Sequence, residues 1–198
     1  MSNQYIDSSL LDKAIVFAVK AHANTERRGK GFPYIVHPLE ALEIAATMTS
    51  DQELLAAAVL HDTVEDTEVT LEQLRTEFGD RVAKLVEEES DSGIPGFSED
   101  LCWRERKQLA LDRLKRLGRD AKIVTMGDKL SNMRAIARDY RVEGNDLWNR
   151  FHAPNGIADH SWRYHALADA LSDLADTEAF QEFASLVNEI FPLDGQPE

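Results

Sequence analysis

The chain has 198 residues, enough for one compact domain with a sizeable core. Hydrophobic residues make up 43% and charged residues 29%, a mix that is globular rather than disordered. The formal net charge of -14 repels a nucleic-acid backbone and an anionic membrane surface, so neither is an expected partner, and an anionic ligand has to be met by a local basic patch or a metal.

The opening MSNQYIDSSL has no basic segment followed by an apolar core, so an unprocessed chain is expected. Apolar residues then recur at helical spacing from Leu10 through Ala14, Phe17 and Ala18 to Ala21. Gly29, Gly31 and Pro33 break this pattern, and a second helix is predicted from about His37, with Pro38 in its first turn, to Met48. Ser50 is the predicted cap of a third helix, with Glu53 at the capping-box position. That helix holds the longest apolar run, Leu54 to Leu60, far too short to span a bilayer and the expected buried centre of the fold. Thr70 and Gln73 form a second capping box for a short helix ending near Gly79, and Asp80 to Glu89 reads as the next helix. A loop is expected from Ser90 to Asp100.

Leu101–Leu117 and Ala121–Tyr140 read as two long helices separated by Gly118, and Asn145–Phe151 as a short one. Asp159–Leu174 and Thr177–Ile190 close the chain. No strand pattern or internal repeat is evident, so the expectation is an all-α single domain over residues 1–198, a bundle of roughly eight to ten helices. Trp103, Trp148 and Trp162 sit in apolar helical contexts and are assigned to the core. The one cysteine, Cys102, rules out an internal disulfide and fits a cytoplasmic location.

The chemistry concentrates in HDTVED, His61 to Asp66. If the helix continues, Glu65 and Asp66 share a face with His61 and Asp62. Asp62, Glu65 and Asp66 would then crowd three negative charges beside a buried segment. Like charges a few ångströms apart cost on the order of 1 kcal/mol in water and several in an interior. A divalent cation resolves that cost. His61 and Asp62 alone would hold it poorly, but His37 in PYIVHP and Asp128 in TMGDKLSNMR complete a mixed nitrogen and oxygen set. Such a set suits manganese, iron or zinc, with positions left for water and substrate. Arg27, Arg28 and Lys30 form the densest basic cluster near the site and read as a phosphate clamp.

A His-Asp doublet with an upstream histidine and a downstream aspartate resembles the pattern of the HD-domain phosphohydrolases. The longer segments GFPYIVHPLEAL, LHDTVEDT, FGDRVAKLV and GDKLSNMR stand in the order seen in RelA/SpoT-type hydrolase domains and small stand-alone alarmone hydrolases. The resemblance covers roughly Ile15 to Ala137. It implies that His37, His61, Asp62 and Asp128 hold a metal, usually manganese, and that Glu65 and Asp66 activate and orient the attacking water. It implies nucleotide contacts from Tyr34 and Asn132, and phosphate contact from Arg28. The reaction it implies is removal of the 3′-pyrophosphate from guanosine tetraphosphate or pentaphosphate, in the cytoplasm.

The basic loop departs from that pattern: Gly29 stands where lysine is common, and Lys30 follows one place later. The C-terminal segments DLWNRF and WRYHALADAL match a broader HD group. An HD phosphomonoesterase acting on a deoxynucleotide or on the 2′-phosphate of NADPH would use the same residues, and a silent nucleotide-binding sensor would need neither Glu65 nor Asp66. His22, His152, His160 and His165 lack a partner pattern and are assigned structural or surface roles.

Overall fold

The computed structural model describes residues 7–90, 94, 96, 98, 100–151 and 153–193. Among them the fold is helical throughout, with one isolated antiparallel bridge between Glu26 and Pro33. The helices are α1 (Ser9–Ala21), α2 (Val36–Ala46), α3 (Gln52–Leu60), α4 (Thr63–Asp66), α5 (Leu71–Phe78), α6 (Asp80–Glu89), α7 (Trp103–Leu114), α8 (Arg119–Glu143), α9 (Ile157–Ala170) and α10 (Glu178–Ile190). A 3-10 helix, Gly144–Arg150, follows α8, and a shorter one, Ser172–Leu174, follows α9. Among the described residues no helix is long and apolar enough to cross a membrane. Most of the expected Ser90–Asp100 loop, and His152, lie outside the described residues.

Three local expectations need correction. The cap of α3 is Asp51, not Ser50: Asp51 Oδ1 accepts from the backbone amides of Glu53 at 2.9 Å and Leu54 at 3.4 Å. The helix starts at Gln52, which leaves Ser50 one residue too far out to reach those amides. Second, HDTVED is not one continuous helix, because α3 ends at Leu60 and α4 restarts at Thr63. Third, only Trp148 is buried. Trp103 and Trp162 are half-buried and meet edge-on at 6.4 Å, with the Arg104 guanidinium 4.5 Å above the Trp162 ring. The capping box of Thr70 and Gln73 is formed as expected.

Every residue of α3 from Leu54 to Leu60 is buried, as its apolar run implies. This helix and α8 divide the interior into two apolar clusters. Leu54, Val59, Leu60 and Val124 join α1, α5 and α6 on one side. Leu55, Met126, Leu130 and Met133 join α9 and α10 on the other. Helix α2 lies against α8 at very short range. A Cβ on Gly127 would stand 2.6 Å from the Ala41 carbonyl oxygen, so glycine is what permits this approach. Gly127 precedes Asp128, and Ala41 lies one turn beyond His37. The close crossing therefore brings two candidate ligands from distant parts of the chain face to face.

Candidate metal centre

His37 enters from the first turn of α2, Asp128 from the middle of α8, and His61 and Asp62 from the break after α3. The ligand-capable atoms of His37, His61 and Asp128 lie within 4.8 Å of one another. His37 Nε2 is 3.1 Å from Asp128 Oδ1, and His61 Nε2 is 3.7 Å from the same oxygen. Asp62 Oδ2 borders the same point, 3.4 Å from His37 Nε2 and 3.0 Å from His61 Nε2. The break in HDTVED lets His61 and Asp62 turn together toward this point.

The far side of each imidazole is already occupied. His61 Nδ1 donates to the Ala58 carbonyl at 2.8 Å. His37 Nδ1 donates to Ser131 Oγ at 2.8 Å, because that hydroxyl itself donates to Glu40 Oε2 at 2.8 Å. Both rings therefore turn Nε2 inward, the nitrogen that can take a metal in place of a proton. His61 Nε2 is buried and has no hydrogen-bond partner. An orphaned buried polar atom costs about 1–3 kcal/mol, and a cation at this point would satisfy it. The donor set, two imidazoles and two carboxylates, fits a divalent ion.

The electrostatics point the same way. Burial opposes a charge on His61, but the adjacent Asp62 and Asp128 carboxylates outweigh it and hold the imidazole well above its ordinary value. Burial likewise opposes ionisation of Asp62, yet His61 and His37 keep that carboxylate far below the usual range. Against the same burial, Lys129 and the two imidazoles hold Asp128 well below that range. Lys129 bridges Asp128 Oδ2 and Glu89, the latter at 2.8 Å.

The remaining expected residues fall around this centre. Glu65 lines the polar pocket that also contains His61, Asp62 and Asp128, and Ser90 Oγ donates to its Oε1 at 3.0 Å. Asp66 turns away to a separate surface pocket beside Ala21 and Gln73, while still facing the Tyr34 hydroxyl electrostatically. The two acids are consecutive residues of α4, and as neighbours in one helical turn they point to different sides. Tyr34 donates to Asp62 Oδ2 at 2.6 Å, and burial together with Asp62 raises its phenol above the ordinary value. Asn132 donates to Asp128 Oδ1 and accepts from Arg27 at 2.5 Å. Lys30 pairs with Asp139, and Arg28 is exposed.

Tyr34, Asn132, Arg28 and Lys30 all border one larger cavity of about 310 Å³. Its charged lining is Arg27, Arg28, Lys30, Lys129, Arg150 and Arg163 against one carboxylate, Asp139. Apolar wall comes from Ala135, Ile136, Leu147 and Phe151. In a chain of charge -14 this is a local concentration of cations.

Sequence reasoning missed four residues here. Ser131 and Glu40 each lie three positions after a ligand, on the same helical face, so spacing could have found them. Glu89 and Arg163 carry no local signal, since α6 and α9 meet the site only in the tertiary fold. Of the histidines, His22 and His160 are buried without hydrogen-bond partners, and His165 Nε2 donates to the Phe191 carbonyl at 2.8 Å.

A helical bundle that turns two histidines and two aspartates onto one buried point is a histidine–aspartate scaffold able to hold a metal. Residues 14–158 match the family model described as HD domain, and the chain belongs to that family. It is similar to the guanosine-3′,5′-bis(diphosphate) 3′-pyrophosphohydrolase MESH1 of Xenopus tropicalis, 36% identical over 135 residues, which span 67% of this chain and 72% of the relative. The human MESH1 protein matches at the same identity and the same coverage. A solved structure of a metazoan ortholog of SpoT, described as hydrolysing ppGpp, superposes with a TM-score of 0.74 at 23% identity, covering 96% of this chain and 99% of that one. At that identity the superposition establishes the shared fold.

Proposed function

We propose that this chain is a metal-dependent phosphohydrolase that removes the 3′-pyrophosphate from guanosine tetraphosphate or pentaphosphate, with manganese as its ion and the cytoplasm as its compartment. The observation that carries the reading is the convergence of His37, His61, Asp62 and Asp128 beside a cavity rich in cations. Similarity to MESH1 supplies the substrate class.

In this reading His37, His61, Asp62 and Asp128 hold the ion. When bound, a divalent ion lowers the pKa of water and neutralises phosphate charge. Glu65, in the same pocket, accepts the proton of the attacking water, and Ser90 fixes its carboxylate. Asp66 acts through the Tyr34 hydroxyl, which it faces together with Asp62. The nucleoside lies against Ala135, Ile136, Leu147 and Phe151, within reach of Asn132, while Arg28 and Lys30 meet its phosphates.

Purified protein with manganese is incubated with guanosine tetraphosphate, NADPH and a deoxynucleotide panel, and products are followed by phosphorus NMR. Pyrophosphate released from the guanosine substrate is the expected result. Orthophosphate from another substrate would move the assignment to an HD phosphomonoesterase. No turnover of any substrate by metal-loaded protein would overturn the enzyme reading.

A further inference from the structure

Around the candidate centre, three cavities share the same two side chains, Lys129 and Arg163: the cavity under the basic loop, the polar pocket of the ligands, and a third between α6 and α7. Lys129 is fully committed to Asp128 and Glu89. Other cations of the large cavity are also engaged. Lys30 and Arg150 share Asp139, Arg150 also pairs with Glu143, and Arg27 donates to Asn132. Arg163 is different. It is half-buried, and among the described residues it has neither an ion-pair nor a hydrogen-bond partner. The other uncompensated cation of that lining, Arg28, is exposed at the outer rim.

A half-buried guanidinium without a partner loses hydration and gains nothing in return. The neighbours register its charge: with burial, Arg163 pushes His160 down to about 4, and it opposes the charge on Lys129. A planar five-donor fork in this position matches two oxygens of a phosphate. Arg163 lines both the cavity of about 310 Å³ and the ligand pocket, so an anion bound by its fork lies beside both.

We propose that Arg163 binds a phosphate of the substrate at this junction and selects for nucleotides that carry a diphosphate pointing at the metal centre while their other phosphates lie toward Arg28. This rests on the phosphohydrolase reading above. A monophosphate at the same position leaves either the fork or the centre without its oxygen, so the residue discriminates diphosphate from monophosphate substrates.

The test uses the full chain and inorganic pyrophosphate as probe, titrated calorimetrically in the presence of a chelator, so that no ion contributes. Wild type is compared with Arg163→Gln and Arg163→Lys. A matched control, Arg141→Ala, removes a surface guanidinium paired with Glu189. The expected result is an affinity loss of about tenfold or more in Arg163→Gln, the range of a charge-assisted hydrogen bond. A smaller loss is expected in Arg163→Lys and none in Arg141→Ala. Circular dichroism verifies that each variant is folded, and Arg163→Lys carries the test if Arg163→Gln is not. Equal affinity in wild type and both Arg163 variants, or no binding by wild type, would overturn the proposal. If wild type fails to hydrolyse guanosine tetraphosphate while Arg163→Gln still loses pyrophosphate, the substrate assignment falls and this inference stands. If hydrolysis occurs with KM unchanged in Arg163→Gln, the inference falls and the substrate assignment stands.

Discussion

His37 Nδ1 lies 2.8 Å from Ser131 Oγ, and that hydroxyl already donates to Glu40, which Arg134 in turn ties to Glu182 on α10. The relay leaves the serine oxygen only an acceptor toward the ring, so a proton is held on Nδ1 and Nε2 is the nitrogen that faces Asp62 and Asp128. A candidate metal ligand on α2 is thus oriented by Ser131 of α8 and braced from α10.

Replacing Ser131 by alanine removes the acceptor and frees the ring to rotate or exchange tautomers. Manganese affinity, measured by calorimetry on metal-free protein, is expected to fall about 10- to 100-fold. Ser131→Thr keeps the hydroxyl and should retain most of the affinity. Equal affinity in wild type and Ser131→Ala would show that the relay does not orient the ligand.

The Gly127→Ala variant tests the crossing of α2 and α8. Its new Cβ would meet the Ala41 carbonyl oxygen at 2.6 Å, backbone that cannot swing aside. A gain in helix propensity of about 1 kcal/mol is outweighed by overpacking of about 1–3 kcal/mol and the loss of the helix–helix fit. Denaturant unfolding should show net destabilisation, and manganese affinity should fall as well, because Asp128 moves with its neighbour. A more stable variant would contradict the geometry.

Glu65 and Asp66 are adjacent in sequence but differ in position. Glu65 shares a pocket with His61, Asp62 and Asp128, whereas Asp66 lines a separate pocket and faces the Tyr34 hydroxyl. Glu65→Gln is therefore expected to lower kcat by about 10²–10⁴ with manganese binding retained, the range of a lost general base. Asp66→Asn should cost less in kcat. Steady-state kinetics at saturating manganese decides the order, and a larger loss in Asp66→Asn would reverse the assignment of roles.

Acid should weaken the fold through His160. Burial, reinforced by Arg163, pushes this imidazole from 6.5 to about 4, where it stacks on Trp148 at 5.3 Å. Between those values the unfolded chain binds a proton that the native state does not. Its contribution is therefore fully present above about pH 6.5 and is lost as pH falls toward 4, by about 2 kcal/mol between pH 7 and pH 5. His160→Phe keeps a ring on Trp148 and should flatten that part of the stability profile in urea unfolding at the two pH values. Parallel profiles for variant and wild type would exclude His160 as the source.

Much of this protein was decided by residue order alone. The helical period, the all-apolar run of α3, the capping box at Thr70 and the placement of His37, His61, Asp62 and Asp128 in marked motifs follow from local spacing and charge. These are short-range properties, readable wherever a side chain's neighbours in sequence are also its neighbours in space. The tertiary structure decided the rest. Which of the neighbouring Glu65 and Asp66 faces the ligand pocket depends on how α4 is seated after α3 ends. Asp51 rather than Ser50 caps α3 because cap geometry turns on a single residue of register. Glu89 and Arg163 reach the centre from α6 and α9, and nothing in their own segments marks them. Packing sets Glu89 against Lys129 and leaves the Arg163 guanidinium, among the described residues, unpaired beside a cavity, joining residues that the chain keeps far apart.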